Sequence, residues 1–439
     1  MFRRKWSGLP ADPQFPSDLK ELGYFINKDD EVRAIDNPDN YFKYFLSRNP
    51  RWNDRQRFAM NQAIQKVIWE RLENLGLKKE LVPLGTTDLS KPHAPIFVSK
   101  DIACKSRVVV IFGETVQDLG ALAHRVIGGP GGVNKGSMVS IVSALLKQRS
   151  SPSDPSPPGI ILANMGELIW WPGGNRTLSR TAYDATPMKS AVHNGNTVTK
   201  KNQVPGNETF MRHVNYIFDE VIPHFVNDRA GIDVIGVGDG ADTVEQYLDL
   251  FPVWETWKKR INCLALVGGL HPIWELKNEE FGNHFLRNKA RAYATSIEPA
   301  GMVLSGPDGN PKTTTFTQIG CPVLSSGEPY YTELTLITGR DVILDWLQEV
   351  AMTPEGEEYV NPEFHVVFTD PVVETSGPHD WGQWQNDEPT GEKDDSEEVK
   401  IKNGLEKAGE GGGGNVGGEK PRLIVVERPS EAGQAKDEK

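Results

Sequence analysis

Five short runs of aliphatic and β-branched residues constrain this chain most: RVVVIFG at 107–113, GIILAN at 159–164, IDVIGV at 232–237, NCLALVG at 262–268 and CPVLSS at 321–326. None alternates apolar with polar, so both faces of each strand need cover. That is the condition of a parallel sheet enclosed by helices, not of a sandwich with one wet face. Helical spacing fills the gaps at 137–146, 209–225, 243–250 and 341–350. The expected architecture is therefore α/β, a doubly wound and mainly parallel sheet.

Two features precede the sheet. In FPSDLKELGYFINKDDEVRAI, an aromatic strand, an Asn-Lys-Asp-Asp turn and a second strand predict an N-terminal hairpin. Over 54–76, Met60, Ile64, Val67, Ile68, Leu72 and Leu75 recur at intervals of one to four that keep them on one face of a helix. Asn53 is the expected cap, with Gln56 three residues on, and Gly76 the expected stop. The segments 150–159 and 172–207 are rich in Pro, Gly, Ser and Asn and are expected to run as loops, the second as a long excursion above the sheet.

From about residue 376 the composition changes. Residues 386–439 carry 14 acidic and 9 basic side chains, a net of −5, with almost no large apolar groups. Such a segment cannot bury enough surface to offset chain entropy and is expected to be disordered. The division is then an extension at 1–13, one domain at 14–375 and an acidic Gly/Glu/Lys tail at 376–439.

Charge and cysteine usage exclude several functions. A net charge of −12 argues against a surface that neutralises phosphates, so direct nucleic-acid binding is not expected. Cys104, Cys263 and Cys321 are too few and too scattered for a disulfide framework or a metal knuckle. Neither a signal peptide nor a membrane span can be read, which predicts an intracellular protein, nuclear or cytoplasmic, without cofactor or metal.

The chemistry turns on IDVIGV-GDGAD-TVEQYLDL, a strand, a sharp glycine turn and a helix. This is the geometry that lifts a nucleophile above the sheet in the α/β-hydrolase fold. The small-x-nucleophile-x-small template falls on Gly236, Gly238 and Gly240, and Gly238 has no side chain with which to attack a carbonyl. A frame shifted by one makes Asp239 the nucleophile, at the cost of placing Val237 where a small residue must pack. The same string also fits the dinucleotide pattern G-x-G-x-x-A, but no acid closes the following strand.

Other catalytic parts are equally thin. No histidine stands in EPYYTE directly after CPVLSSG, and neither His365 nor His379 is well placed. His124, His213 and His224 fall in helical patterns, and no His-Gly precedes Glu114. His271, directly after a strand, is the one histidine expected at the sheet's C-terminal edge and the one candidate for lining a pocket there.

In order, FPSDLKELGYFINKDDEVR, RWNDRQRF, VVVIFG, RHVNYIFDEV, VGDGAD, LALVGGLHPIW and CPVLSSG resemble the Arb-two domain, named for an Argonaute-binding protein of an RNA-silencing complex. That family is regarded as a divergent α/β-hydrolase fold and also occurs C-terminal to class II histone deacetylase domains. The resemblance implies a serine at the position of Gly238, a histidine near Thr332 and an acid at Gly268 in members that keep them. Each is absent here, which implies a pseudoenzyme.

The tail adds two partner-binding candidates. Trp381 and Trp384 flank a glycine as in the tryptophan-glycine hooks that enter Argonaute pockets, and Leu423, Ile424, Val425 and Val426 form an apolar island able to add a strand to a partner's sheet. The resulting expectation is a non-catalytic adaptor of small-RNA silencing and heterochromatin assembly, binding Argonaute or a class II histone deacetylase complex. The alternatives are a hydrolase acting through Asp239 and a module sensing a small ligand.

Overall fold

The computed structural model describes residues 8–192, 196–309 and 318–363. Tyr24–Ile26 (β1) and Val32–Ala34 (β2) form the expected antiparallel hairpin. The helix after it runs Pro50–Asn74 and not from 54. Its cap is Asn49, whose side chain accepts from Arg51 N, because Pro50 is preorganised for the first helical position and has no N–H to satisfy. Asn53 lies inside the helix and reaches back instead, accepting from Leu46 N and Ser47 N at 2.9 and 3.0 Å. Gly76, at φ +93°, ends the helix as expected.

The main sheet contains Leu77–Val82 (β3), Ala94–Ser99 (β4), Arg107–Phe112 (β5) and Gly159–Ala163 (β6) on one side. The small antiparallel pair Ile169–Trp171 (β7) and Arg176–Leu178 (β8) stands apart in the 172–207 excursion and just before it. Gly231–Val237 (β9), Ile261–Val267 (β10), Ala290–Ala294 (β11), Val303–Ser305 (β12) and Val323–Ser325 (β13) complete the sheet. The order is β12-β13-β11-β10-β9-β5-β6-β4-β3. From β13 to β6 every pairing is parallel, whereas β4 is antiparallel to both β6 and β3, and β12 is an antiparallel edge. This is an α/β-hydrolase sheet, with the strand before the glycine turn at its centre.

Residue parity explains why the central strands read as continuous apolar runs. Val108, Val110 and Phe112 of β5 join Ile232 and Val234 of β9 in a core with Val214, Phe218 and Val244 from the helices on that face. The other parity belongs to the opposite face, where Arg107 reaches the helix Arg340–Ala351 through the Leu347 carbonyl at 3.0 Å. Arg107 also pairs with Asp233 at 2.6 Å, both at most 2% exposed, and Asn262 donates to the same carboxylate. An uncompensated charge there would be costly, and these bonds are what make it tolerable.

The expected helix 209–225 is present, but its middle turn, Ile217–Val221, is π-helical. Pro223 has no N–H to bond back to residue 219, which frees the wider register. Far from the sheet, Asp12 is buried against Arg51 and Arg55, at 2.7 and 3.4 Å. It also accepts from Met188 N, while Arg51 donates to the carbonyls of Asp184 and Thr186. The excursion is thereby tied to residues 8–13 through the helix Pro50–Asn74.

Candidate functional site

Gly238 is the residue at the sharp turn, with φ 55° and ψ −127°, and the helix Asp239–Leu248 begins immediately after it. Its neighbours show why the template demands small residues. A Cβ on Gly236 would lie 2.4 Å from Ala241 Cα, and one on Gly240 would lie 2.4 Å from the Gly113 carbonyl. Asp239, the nucleophile of the shifted frame, is the first helical residue, exposed, and accepts a hydrogen bond from Thr115 Oγ1 at 2.6 Å.

The position a nucleophile would fill is occupied. A Cβ at Gly238 would stand 1.7 Å from Glu114 Oε1 and 2.5 Å from Oε2, so the carboxyl group of Glu114 lies where a serine side chain would begin. Asp239 N donates to it at 3.4 Å. The Glu114 carboxyl is pushed up to about 7, first by burial and then by the nearby charge of Asp239; the bond from Asp239 N opposes both, and Asp242 and Glu333 add smaller upward pushes. Acyl transfer needs donors aimed at a developing oxyanion, whereas this mouth gathers carboxyl groups. The cavity left beside Glu114 is only about 20 Å³.

The positions that the resemblance assigned to acid and base do meet. A Cβ on Gly268 would lie 3.3 Å from the Thr332 carbonyl and 3.8 Å from Thr332 Cβ. Thr335 closes this corner, donating to the Thr332 carbonyl at 2.6 Å. Gly268 and Thr332 thus adjoin each other, and neither they nor Gly238 carries a histidine, acid or nucleophile.

His271 is buried, but its Nε2 faces Glu275 at 3.6 Å, and the nearby charge of Asp242 is its other neighbour. Over Gly238 the Glu114 carboxyl group takes up space that a ligand would need, and Phe112 stacks into the core on Phe218 at 5.7 Å. His213 is structural: Asn164 N donates to its Nε2, its Nδ1 bonds Asn207, and burial holds its pKa down to about 3. His124 contacts Asp118 at 3.3 Å, and His224 packs on Phe225.

Asp249, at the end of the elbow helix, accepts from Lys277 N and Asn278 N, which anchors the HPIW segment and leaves Trp274 61% exposed. Among the described residues no group of three His, Cys, Asp or Glu side chains is disposed to hold a metal, and no helix is long and apolar enough to cross a membrane. Trp381, Trp384 and Leu423 to Val426 lie outside the described residues.

A family model of the Arb2 domain matches residues 15–300. The chain belongs to the Arb2 domain family. Among similar proteins is the cotranscriptional regulator ARB2A homolog of Xenopus tropicalis, 30% identical over 138 residues, which cover 31% of this chain and 32% of that protein. Human cotranscriptional regulator ARB2A is 30% identical over 26% of this chain and 28% of its own length. Less than a third of either relative is covered. The ARB2A homolog of Gallus gallus is matched more broadly, at 20% identity over 65% of this chain and 72% of that protein. Among solved structures, carboxyl esterase 2 from the mycorrhizal fungus Tuber melanosporum matches at 10% identity and a TM-score of 0.30 over 63% of this chain and 85% of that one.

Glu114 gives the Arb2 site a measurable signature. The folded chain holds its proton at a pH where the unfolded chain, with an ordinary value of 4.5, has released it. That contribution is complete below about pH 4.5 and is lost as pH rises through about 7. Glu114→Gln, which still accepts from Asp239 N, is expected to flatten the fall in urea midpoint between pH 5 and 8. An unchanged slope in the variant would show that the carboxyl is not the source.

Proposed function

We propose that this Arb2 domain protein is a non-catalytic regulatory adaptor acting in the nucleus, a subunit of a small-RNA silencing or heterochromatin complex. Its partners are proteins, an Argonaute or a class II histone deacetylase assembly, with no direct contact to nucleic acid. The observation that carries this reading is the Glu114 carboxyl group in the nucleophile slot, together with Gly268 and Thr332 where acid and base would stand. A site so filled has no use for a substrate carbonyl. The names of the relatives, cotranscriptional regulators, support a regulatory role.

The net charge of −12 supports protein partners over phosphate backbones. The tail supplies the contact, with Trp381 and Trp384 as paired aromatic anchors and Leu423 to Val426 as a strand-forming segment. Affinity purification of the full chain from native extract, beside a Trp381→Ala/Trp384→Ala variant, tests it. Argonaute or deacetylase subunits are expected with the intact chain and at least ~10-fold less with the variant, since aromatic hot spots carry 2 kcal/mol or more. Recovery of neither partner with the intact chain overturns the proposal.

A further inference from the structure

We propose that the cavity between the N-terminal hairpin and the helix Pro50–Asn74 binds a small amphipathic carboxylate, with its head on Arg57 and its apolar body on the cavity floor. The cavity measures about 440 Å³, within the range of pre-formed ligand sites, and is distinct from the filled slot, from which Gln117 separates it. Nothing in the adaptor reading requires it.

The floor is apolar and comes from three separate parts of the chain. Val32 belongs to the hairpin, Met60 and Ile64 to the long helix, and Ile127 to the short helix His124–Ile127 that follows β5, with Phe42 closing the hairpin side. Val32, Met60, Ile64 and Ile127 are each 4% exposed or less and give the cavity a dry apolar wall, while Phe42 is the half-buried ring whose surface an alkyl or aryl group would remove from water.

The polar groups at the mouth choose the head group. Arg125 is already committed, stacked at 3.8 Å over the Tyr331 ring and paired with Glu333 at 2.7 Å. His124 is held by Asp118 at 3.3 Å, and Asn61 donates to the same carboxylate. Arg57 is different: it lies 5.7 Å over the Tyr44 ring and, among the described residues, has no carboxylate within ion-pair distance. A guanidinium bonded to the Tyr44 hydroxyl but paired with no carboxylate keeps N–H donors for a planar monoanion, which it grips through two parallel N–H bonds. Glu333 on the same rim disfavours a dianion such as a phosphate monoester, and a cationic head would meet Arg57 and Arg125 together.

Isothermal titration of the full chain with octanoate, octylamine and octan-1-ol reads this directly. Octanoate is expected to bind, with the other two at least ~10-fold weaker, the size of one charge-assisted contact. Arg57→Gln should lose that ~10-fold preference, and Arg57→Lys, which keeps the charge but not the paired N–H bonds, should retain part of it, which separates charge recognition from a folding defect. Val32→Phe, which fills the floor from the hairpin side, should weaken octanoate and octan-1-ol alike. Failure of octanoate to bind at low millimolar concentration overturns the proposal, as does equal binding by the Arg57→Gln variant or by octylamine.

Discussion

Asp233→Ala is expected to cost about 3–5 kcal/mol, a large part of the stability of a domain this size, because it leaves the Arg107 guanidinium buried without its charge partner. Arg107 cannot relax outward. It is pinned on β5 by bonds to the carbonyls of Arg149 and Leu347, and its neighbours on the sheet are fully buried. Asn262 would lose its acceptor at the same time. The measurement is the urea midpoint, or the soluble yield if the variant does not accumulate. The double replacement Arg107→Met/Asp233→Leu removes both charges and should recover most of the loss. If Asp233→Ala alone costs under about 1 kcal/mol, the Arg107 charge does not depend on Asp233 for its compensation.

Gly238→Ser is the second large effect. It places a Cβ where Glu114 Oε1 now lies, 1.7 Å away, at a backbone conformation that L side chains rarely adopt. Glu114 can swing out, since its carboxyl is the end of a flexible chain, so the expected cost is about 1–3 kcal/mol from backbone strain together with loss of the filled slot. In a Glu114→Ala background the added cost of Gly238→Ser should shrink, a coupling that a double-mutant cycle reads. The new serine is expected to remain inert to p-nitrophenyl acetate and to fluorophosphonates, because Thr332 and Gly268 supply neither base nor acid. A stoichiometric acyl or phosphonyl adduct by intact mass would show that a base had been overlooked.

The parts of this architecture that were legible in the sequence share one property: their signal is local. Strands β5, β6, β9 and β10 are buried on both faces and so carry unbroken apolar runs, and the elbow is written as small residues at fixed spacing. Strand β3, LKKELV, is half wet and interrupted by charge, and β11, ARAYA, is built from small residues that fit a helix as well. Both were therefore silent. The cap was misplaced by four residues because Asn49 and Asn53 are equally good caps in isolation, and only the return of the chain at Leu46 and Ser47 decides between them.

The candidate site was legible only as a loss. That Gly238, Gly268 and Thr332 are empty of catalytic groups can be read from their identities, but what fills the space cannot. Glu114 acts across 125 positions of sequence separation, and no periodicity or spacing links it to Gly238. One signal was available: a missing Cβ at an elbow creates room, and an acidic residue at the end of the neighbouring central strand is placed to take it. The Arg107–Asp233 pair was hidden in the same way, as polar residues that look like strand ends.

The clamp at Asp12 also sets a schedule for folding. Its acceptor role for Met188 N spans 176 residues, and the Arg51 bond to the Thr186 carbonyl spans 135. Synthesised at ~5–20 residues per second, the chain would expose Asp12 for roughly 10–35 s before residue 188 exists. Helix Pro50–Asn74 would meanwhile carry two uncovered guanidinium groups. The residues around Asp12 are thus among the last to be fixed, and closure of this face belongs to the slow, non-local end of assembly.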